Sequence, residues 1–517
     1  MTRWRASSAA LALIVLLGAA LRLFPIWFGL PYPHARPDEA TTLGHAVAIL
    51  AGDPNPHFFN WPSLTFYFFA GLFAIASAVR TLTPIDYVLI ARGAVALAGT
   101  ATIVVLARLA GRIGGRIAGL LAACFLSVAT LHVRDSHFAL TDVLMTLLVT
   151  GSLALLVEAQ ETPSLRHVAF AGLLGGLATS TKYNAAAIVA AMAAVQWLWP
   201  RRLADPRPAL VFIAALVGGF LVATPFALLD ARTFLTDVLF ESRHLAGGHG
   251  VALGRGWTYH LTRTLPYGLG FGIFLAGIAG WVPLVRHHAR PALVLGAFAA
   301  VFFAAIGSGQ TVFFRYVMPL VPVFCLSAAV GVIHTGAWLA ARARLPRPAV
   351  VGLLAAIVAG PSLLNSIRLD LLLARTDTRV LAARWLTPRL HPDDTLHDAG
   401  GDYARLPLEG AEFHGWRYDA ATRSFGDPTG RTPDWIVLDE SPLPAYSSVD
   451  AALLSLVERD YVMVHEVLGT RGVTAAAVYD LQDAFFLPVS GFAGVQRPGP
   501  DVRIYRRRDL EVTRSRK

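Results

Sequence analysis

The sequence predicts a polytopic, all-α membrane domain of about eleven transmembrane helices, residues 1–369, followed by a small extracytoplasmic α/β domain, residues 370–517. Three observations carry this. The 517-residue chain is 55% hydrophobic and only 15% charged, and its apolar runs are too many and too long for a soluble core. Charge divides the chain: residues 1–369 hold 12 of the 34 acids and 26 of the 44 bases, and the other 22 acids crowd into residues 370–517. The arginines of the first part fall in short clusters between apolar runs, as cytoplasmic loops do. That placement argues against a nucleic-acid partner despite the net charge of +10. Cys124 and Cys325 both sit inside apolar runs, so neither a disulfide framework nor a cysteine metal site is expected.

The elements follow in order. MTRWRASS leads into an apolar run with no clear small-residue cleavage site, so 7–28 reads as a retained first helix rather than a signal peptide. Ten further runs lie at 86–108, 117–132, 142–157, 168–181, 184–199, 209–228, 266–285, 291–307, 316–338 and 349–367. Several are shorter than the ~20 residues of a perpendicular span. The run NWPSLTFYFFAGLFAIASAV (60–79) is read as interfacial. As a span it would put Arg108, Arg112 and Arg116 outside. As an interfacial helix it puts them inside, with Arg201, Arg202, Arg207, Arg286, Arg290, Arg342, Arg344 and Arg347. The N-terminus is then cytoplasmic, the C-terminal domain lies outside a bacterial inner membrane, and nine acids, from Asp38 and Glu39 to Asp237 and Glu241, share the outer face. Only Glu158, Glu161 and Asp205 remain inside. In the C-terminal domain VLAARWL (380–386) suits a helix, and DWIVLDE (434–440) and DVRIYRR (501–507) suit strands. The domain carries no nucleotide loop, no G-x-S-x-G and no zinc signature.

Four stretches could carry chemistry. HARPDEATT (34–42) sets Asp38 and Glu39 side by side after the first span. Adjacent loop carboxylates are commonly just solvated. Here Pro31, Pro33 and Pro37 stiffen the approach and PNPHFFNWPS (54–63) follows, so the pair also suits a base for an attacking hydroxyl. RDSHFALTD (134–142) adds Arg134, Asp135, His137 and Asp142, although Asp142 also fits an ordinary first-turn or capping acid. STKYN (180–184) holds Lys182, which with Lys517 makes up all the lysine of the chain. Codon usage explains such a residue; so does a compact ammonium at a lipid phosphate. FFRYVMP (313–319) places Arg315 at a span end, as a snorkelling residue or a second phosphate contact. Carboxylates, cations and aromatics on one membrane face suggest sugar transfer from a lipid phosphate. The leaving phosphate needs cations, the acceptor hydroxyl needs a base, and a single displacement inverts the anomeric centre. Two alternatives stand beside this. A transporter or flippase of lipid-linked sugars calls for mid-span acids and repeat symmetry. A non-catalytic glycan-binding membrane scaffold needs no outer-face acids.

Pro37-Asp38-Glu39, His57, Trp61-Pro62, Arg92, Arg134 with Thr141-Asp142, GLATSTKYN (176–184) and Arg315-Tyr316-Val317-Met318-Pro319 occur in this order. Together they resemble glycosyltransferase family 39, which has the GT-C membrane fold and includes protein O-mannosyltransferases and relatives of the aminoarabinose transferase of lipid A. DAFFLPVSGFAGVQRPGPDVRIYRR (483–507) is similar to the tail of bacterial members. The resemblance implies a polyprenyl-phosphate sugar donor and a glycan, lipid or protein acceptor, used within the lipid bilayer. It implies Asp38 as the base with Glu39 as the lesser candidate, Asp142 near a sugar and Lys182 as a phosphate-binding cation. His57, Trp61, Arg92, Arg134, His137, Tyr183, Arg315 and Tyr316 complete the expected substrate-binding set. NWPSL stands where the eukaryotic O-mannosyltransferases have His-Pro-Pro, and no MIR-type β-trefoil is inserted, which argues against a protein acceptor. No cofactor is expected, and no motif indicates a divalent metal.

Overall fold

The computed structural model describes residues 2–32, 35–200, 204–426, 430–472 and 475–510, with side chains in the first helix from Ser8 onward. Pro33, Arg201, Arg202 and Lys517, named above, lie outside the described residues. The chain forms two compact units. The first holds Met1–Ile26 and Thr41–Arg368. The second holds Leu369–Lys517 together with Trp27–Ala40, a segment that the sequence assigned to the membrane part.

The first unit is built of helices. They are α1 (Thr2–Leu23), α2 (Pro37–Leu50, which begins in the second unit), α3 (Leu64–Ser77), α4 (Pro84–Val128), α5 (Thr130–Asp135), α6 (Thr141–Glu161), α7 (Leu165–Thr179), α8 (Ile188–Leu198) and α9 (Arg207–Ala223). There follow α10 (Phe226–Leu229), α11 (Ala231–Gly247), α12 (Gly256–Tyr259), α13 (Leu265–Leu269), α14 (Phe271–His287), α15 (Ala289–Gly307), α16 (Leu320–Ala343) and α17 (Arg347–Leu373). The runs expected at 86–108 and 117–132 are two arms of α4. They meet at Gly115, whose φ of 79° only glycine takes without strain. Among the described residues five helices are long and apolar enough to cross a bilayer, or six with the bent pair Gly256–Leu269 and Phe271–His287. Ser8–Leu23, Leu64–Ser77, Leu165–Thr179, Tyr183–Leu198 and Arg207–Ala223 are apolar but shorter. The count of eleven therefore depends on scoring both arms of α4 and four of these shorter helices as crossings. α3, inside the run read as interfacial, has 14 residues, about 21 Å of helix.

Polar groups mark the ends and breaks of these helices. The first turn of α6 holds Asp142; near its last turn Glu158 and Glu161 take Arg112 at 2.8 and 2.6 Å. Asp142 and Glu158 are about 24 Å apart along the helix, close to a bilayer's hydrocarbon thickness. At the break between α4 and α5, buried Arg22 donates to Leu126 O at 2.9 Å and Ser127 O at 3.0 Å. It thereby satisfies carbonyls that a helix end leaves open where no water can. A Cβ on Gly176 would meet Leu216 O at 2.1 Å, so α7 and α9 touch backbone to backbone, a small-residue contact typical of membrane helices.

The second unit is a five-stranded sheet in the order β2-β1-β3-β5-β4: β1 (Thr395–Asp398), β2 (His414–Gly415), β3 (Trp435–Glu440), β4 (Tyr461–Val467) and β5 (Asp501–Arg507). β2, β1 and β3 are parallel; β5 runs antiparallel to β3 and β4. β3 is the continuous apolar strand WIVLDE because both its faces are covered. On one face α18 (Thr378–Leu386) packs Ala382, Ala383 and Leu386 against Trp435, Val437, Val502 and Ile504. On the other, α20 (Ala451–Asp460) packs Leu453 and Val457 against Ile436 and Leu438. A four-residue turn of helix, α19 (Gly401–Ala404), follows β1. Asp439 near the end of β3 is buried beside Asp398. Burial, then the Asp398 charge, pushes Asp439 well above the usual carboxylate range, and burial raises Asp398 too. The fold thus favours the protonated form of Asp439.

Trp27–Ala40 is part of this unit's core. Phe28 meets Phe485 edge-on at 5.9 Å, and Tyr32 packs with Ala35 and Val380. Arg36 is buried, ion-pairs with Asp483 and lies 5.6 Å over the Phe485 ring. Arg379, clamped by Asp377 at 2.9 and 2.8 Å, sits 5.2 Å from the rings of both Tyr32 and Phe486.

Candidate active site

In the first unit two loops and a helix start bring charge together. Asp142 lies in the first turn of α6, where a helix N-terminus favours a carboxylate. Its Oδ1 accepts from Lys182 Nζ at 2.8 Å, and its Oδ2 stands 3.9 Å from Arg315 Nε. Lys182 follows the end of α7, where its amide donates to Ala178 O at 3.0 Å, so its position is fixed by that helix. Arg315 sits in the 3₁₀ turn Phe314–Val317. Both cations rest on aromatic faces: Lys182 Nζ is 4.3 Å from the Tyr316 ring centre, and the Arg315 guanidinium is 4.2 Å from that of Phe313. Lys182 and Arg315 thus both reach Asp142, and side-chain exposures of 13% and 9% leave these charges weakly screened.

The cluster borders a cavity of about 270 Å³. Asn60, Trp61, Lys182, Tyr183, Asn184, Glu241 and Tyr316 line it, with Leu245 and Ile306 at its apolar side. Trp61 is steadied edge-on by Phe58 at 5.4 Å, and the Tyr183 hydroxyl donates to Phe59 O at 2.7 Å. Asp142, Lys182, Arg315, Tyr316, Trp61 and Tyr183 are thus gathered from the expected set.

Other expected residues stand apart from this cavity. His57 is exposed, at φ 49°, with Nε2 3.4 Å from Asp53 and Nδ1 3.9 Å from Asp230. Arg92 is buried and donates to Ile26 O at 2.8 Å. Arg134, Asp135 and His137, read from the sequence as an outer loop, are buried in α5 and the turn after it. The His137 ring nitrogens face Val133 O and Phe24 O, both at 2.9 Å, and Arg134 pairs with Asp135 at 3.8 Å. His137 thus serves carbonyls at the ends of α5 and α1, and Arg134 and Asp135 pair with each other inside the bundle.

Asp38 and Glu39 belong to the second unit, in the first turn of α2 rather than on a loop. Asp38 keeps 32% side-chain exposure and stands 4.0 Å from Arg36, whereas Glu39 is fully buried, which a solvated pair would not be.

Sequence reasoning passed over α11 as a functional element. Its Asp237 accepts from Phe59 N at 2.7 Å, and Glu241 reaches the cavity. Behind Glu241, His244 Nδ1 lies 3.5 Å away and His244 Nε2 meets His249 Nδ1 at 2.9 Å. The signal was present as acids four residues apart facing one side of an amphipathic helix. Among the described residues no group of three or more His, Cys, Asp or Glu is placed to hold a metal ion.

Comparison with known structures gives the class. The fold is similar to the oligosaccharyltransferase AglB from Archaeoglobus fulgidus in complex with an inhibitory peptide and a dolichol-phosphate, at 12% identity and TM-score 0.55, covering 98% of this chain and 89% of that one. It is also similar to ArnT from Cupriavidus metallidurans bound to undecaprenyl phosphate, at 16% identity and TM-score 0.53, covering 98% of each chain. The chain thus has the GT-C fold of membrane glycosyltransferases. Within it, residues 64–227 match the family model described as dolichyl-phosphate-mannose-protein mannosyltransferase, a stretch that includes Asp142 and Lys182. No curated protein matches the sequence.

Proposed function

We propose that the protein is an inverting glycosyltransferase that moves a single sugar from a polyprenyl-phosphate donor to an acceptor hydroxyl at the outer face of the cytoplasmic membrane. One observation carries the reading: Lys182 and Arg315 share Asp142 beside an aromatic-walled cavity of about 270 Å³. A pair of cations fits a phosphate diester that becomes a monoester dianion as the sugar leaves. The similar structures, one in complex with a dolichol-phosphate and one bound to undecaprenyl phosphate, support a lipid-phosphate donor. The family model over residues 64–227 supports glycosyl transfer from such a donor.

In this mechanism the acceptor oxygen attacks the anomeric carbon as the bond to the phosphate oxygen breaks. The hydroxyl proton passes to a carboxylate, a role assigned to Asp38 with Glu39 beside it. Lys182 and Arg315 take up the charge of the departing polyprenyl phosphate. Trp61, Tyr183 and Tyr316 give the sugar ring apolar faces, and Asn60, Asn184 and Glu241 give its hydroxyls partners.

The test is reconstitution in liposomes with radiolabelled polyprenyl-phosphate hexoses and pentoses, and with lipid extracts of the host as acceptor. Label moving from the carrier into a new product supports the reading. Label that crosses the bilayer while still on its carrier would instead make the protein a flippase.

A further inference from the structure

The second unit holds a cleft of about 560 Å³ made wholly of its own residues. It opens at the carboxyl ends of the parallel strands β1 and β2, the edge at which open α/β sheets hold ligands. Asp398, the last residue of β1, lines it. Asp398 Oδ1 accepts from the Gly400 amide and Oδ2 from the Leu406 amide, both at 2.9 Å. In a phosphate-binding loop such amides point at the ligand. Here a carboxylate of the chain already occupies the anion's place, so the cleft disfavours phosphates and nucleotides.

Its remaining chemistry is specific in another direction. Glu409 offers lone pairs, and Arg405 and Arg417 offer N–H donors. Phe413 and Trp416, both half-buried, offer ring faces to the same space. Trp416 is held in advance: its amide donates to Leu396 O at 2.8 Å, and its carbonyl faces His397 Nδ1 at 3.1 Å. Part of its ring packs on the cluster of Ile436 and Leu438. Hydroxyls that donate to carboxylates and accept from guanidinium groups, on rings whose C–H faces lie against aromatics, are the features of a saccharide.

We infer that this cleft is a saccharide-binding site. Its volume exceeds that of the cavity beside Lys182, so it takes a chain of sugars where the other takes one. Resting on the transfer reaction proposed above, the bound chain is the acceptor glycan, which the second unit retains between transfers.

Binding is measured without any donor, so its outcome is independent of the reaction. The full-length protein is placed in nanodiscs, because sugar-headed detergents would compete. Maltotetraose, mannotetraose and arabinotetraose are titrated by calorimetry and saturation-transfer NMR, with inorganic phosphate as the contrasting probe. At least one tetrasaccharide should bind and phosphate should not. Trp416→Ala should weaken binding about tenfold. Because Trp416 also packs on the core, the exposed pair Arg405→Ala/Arg417→Ala is the second variant and should weaken binding severalfold with the sheet's hydrogen exchange unchanged. Absence of saccharide binding, preferential binding of phosphate, or full binding by both variants would overturn the site. Saccharide binding without glycosyl transfer would count against the reaction and leave the cleft standing.

Discussion

Replacing Lys182 with alanine separates a phosphate contact from an internal ion pair. In the folded protein Lys182 Nζ is 2.8 Å from Asp142 Oδ1, and Arg315 Nε is 3.9 Å from Oδ2. Without Lys182, Asp142 keeps only Arg315 of these two cations, and the cavity loses one positive charge. A charge-assisted contact contributes about 1.5–3 kcal/mol, so the donor KM should rise roughly 10- to 150-fold. Lys182→Arg should recover part of this, since charge is kept while the planar fork fits a different geometry. The decisive variant is Lys182→Ala/Asp142→Asn. If lysine serves only to neutralise Asp142, the double variant regains the donor affinity that Lys182→Ala lost. If lysine touches phosphate, the double variant stays weak. The assay is initial rate against donor concentration at saturating acceptor, with circular dichroism as control, because breaking a buried pair costs about 3–5 kcal/mol. An unchanged donor KM in Lys182→Ala, or rescue in the double variant, would refute the phosphate contact.

Asp38→Asn should leave the protein folded and donor binding intact while turnover falls by roughly 10²–10⁴, the usual worth of a positioned general base; near-normal turnover would move that role to another carboxylate. Asp439→Asn should stabilise the second unit at neutral pH. Folded Asp439 holds its proton above the ordinary value of 3.8, so its contribution is full below that pH and is lost as pH rises through the raised folded value. The gain from asparagine should therefore vanish below about pH 4, read by hydrogen exchange of β3 amides; a variant less stable at pH 7 would contradict the raised titration of Asp439. Asp483→Ala should cost about 3–5 kcal/mol because Arg36 loses its buried counter-charge, whereas Arg36→Met/Asp483→Leu should recover most of it. Unchanged exchange protection across Trp27–Ala40 in Asp483→Ala would show that the pair does not hold the segment.

The helices were legible because each is an apolar run bounded by charge, and period and length suffice to find those. The bend at Gly115 was not legible, since a glycine in an apolar run signals freedom and not direction. Asp142 and Lys182 stood out as rare charges at span ends, and they meet at 2.8 Å although 40 residues separate them. Arg134 and His137 misled for the same reason. A polar stretch between apolar runs reads as a loop, yet here it is buried, with His137 facing carbonyls at two helix ends. Glu241 was noticed only as one of several acids, because nothing local distinguishes a cavity-facing glutamate from a solvated one. The Arg36–Asp483 pair, 447 residues apart, leaves no local pattern at all.

That pair has a consequence for the order in which the molecule is made. Trp27–Ala40 leaves the ribosome well before its packing partners Phe485, Phe486 and Asp483; 447 residues separate Arg36 from Asp483. Until they arrive, Arg36 lacks the Asp483 carboxylate and the segment that leads into α2 lacks this packing. A frameshift or proteolytic cut before Asp483 therefore removes more than the residues after it: it also takes away the packing that seats Trp27–Ala40.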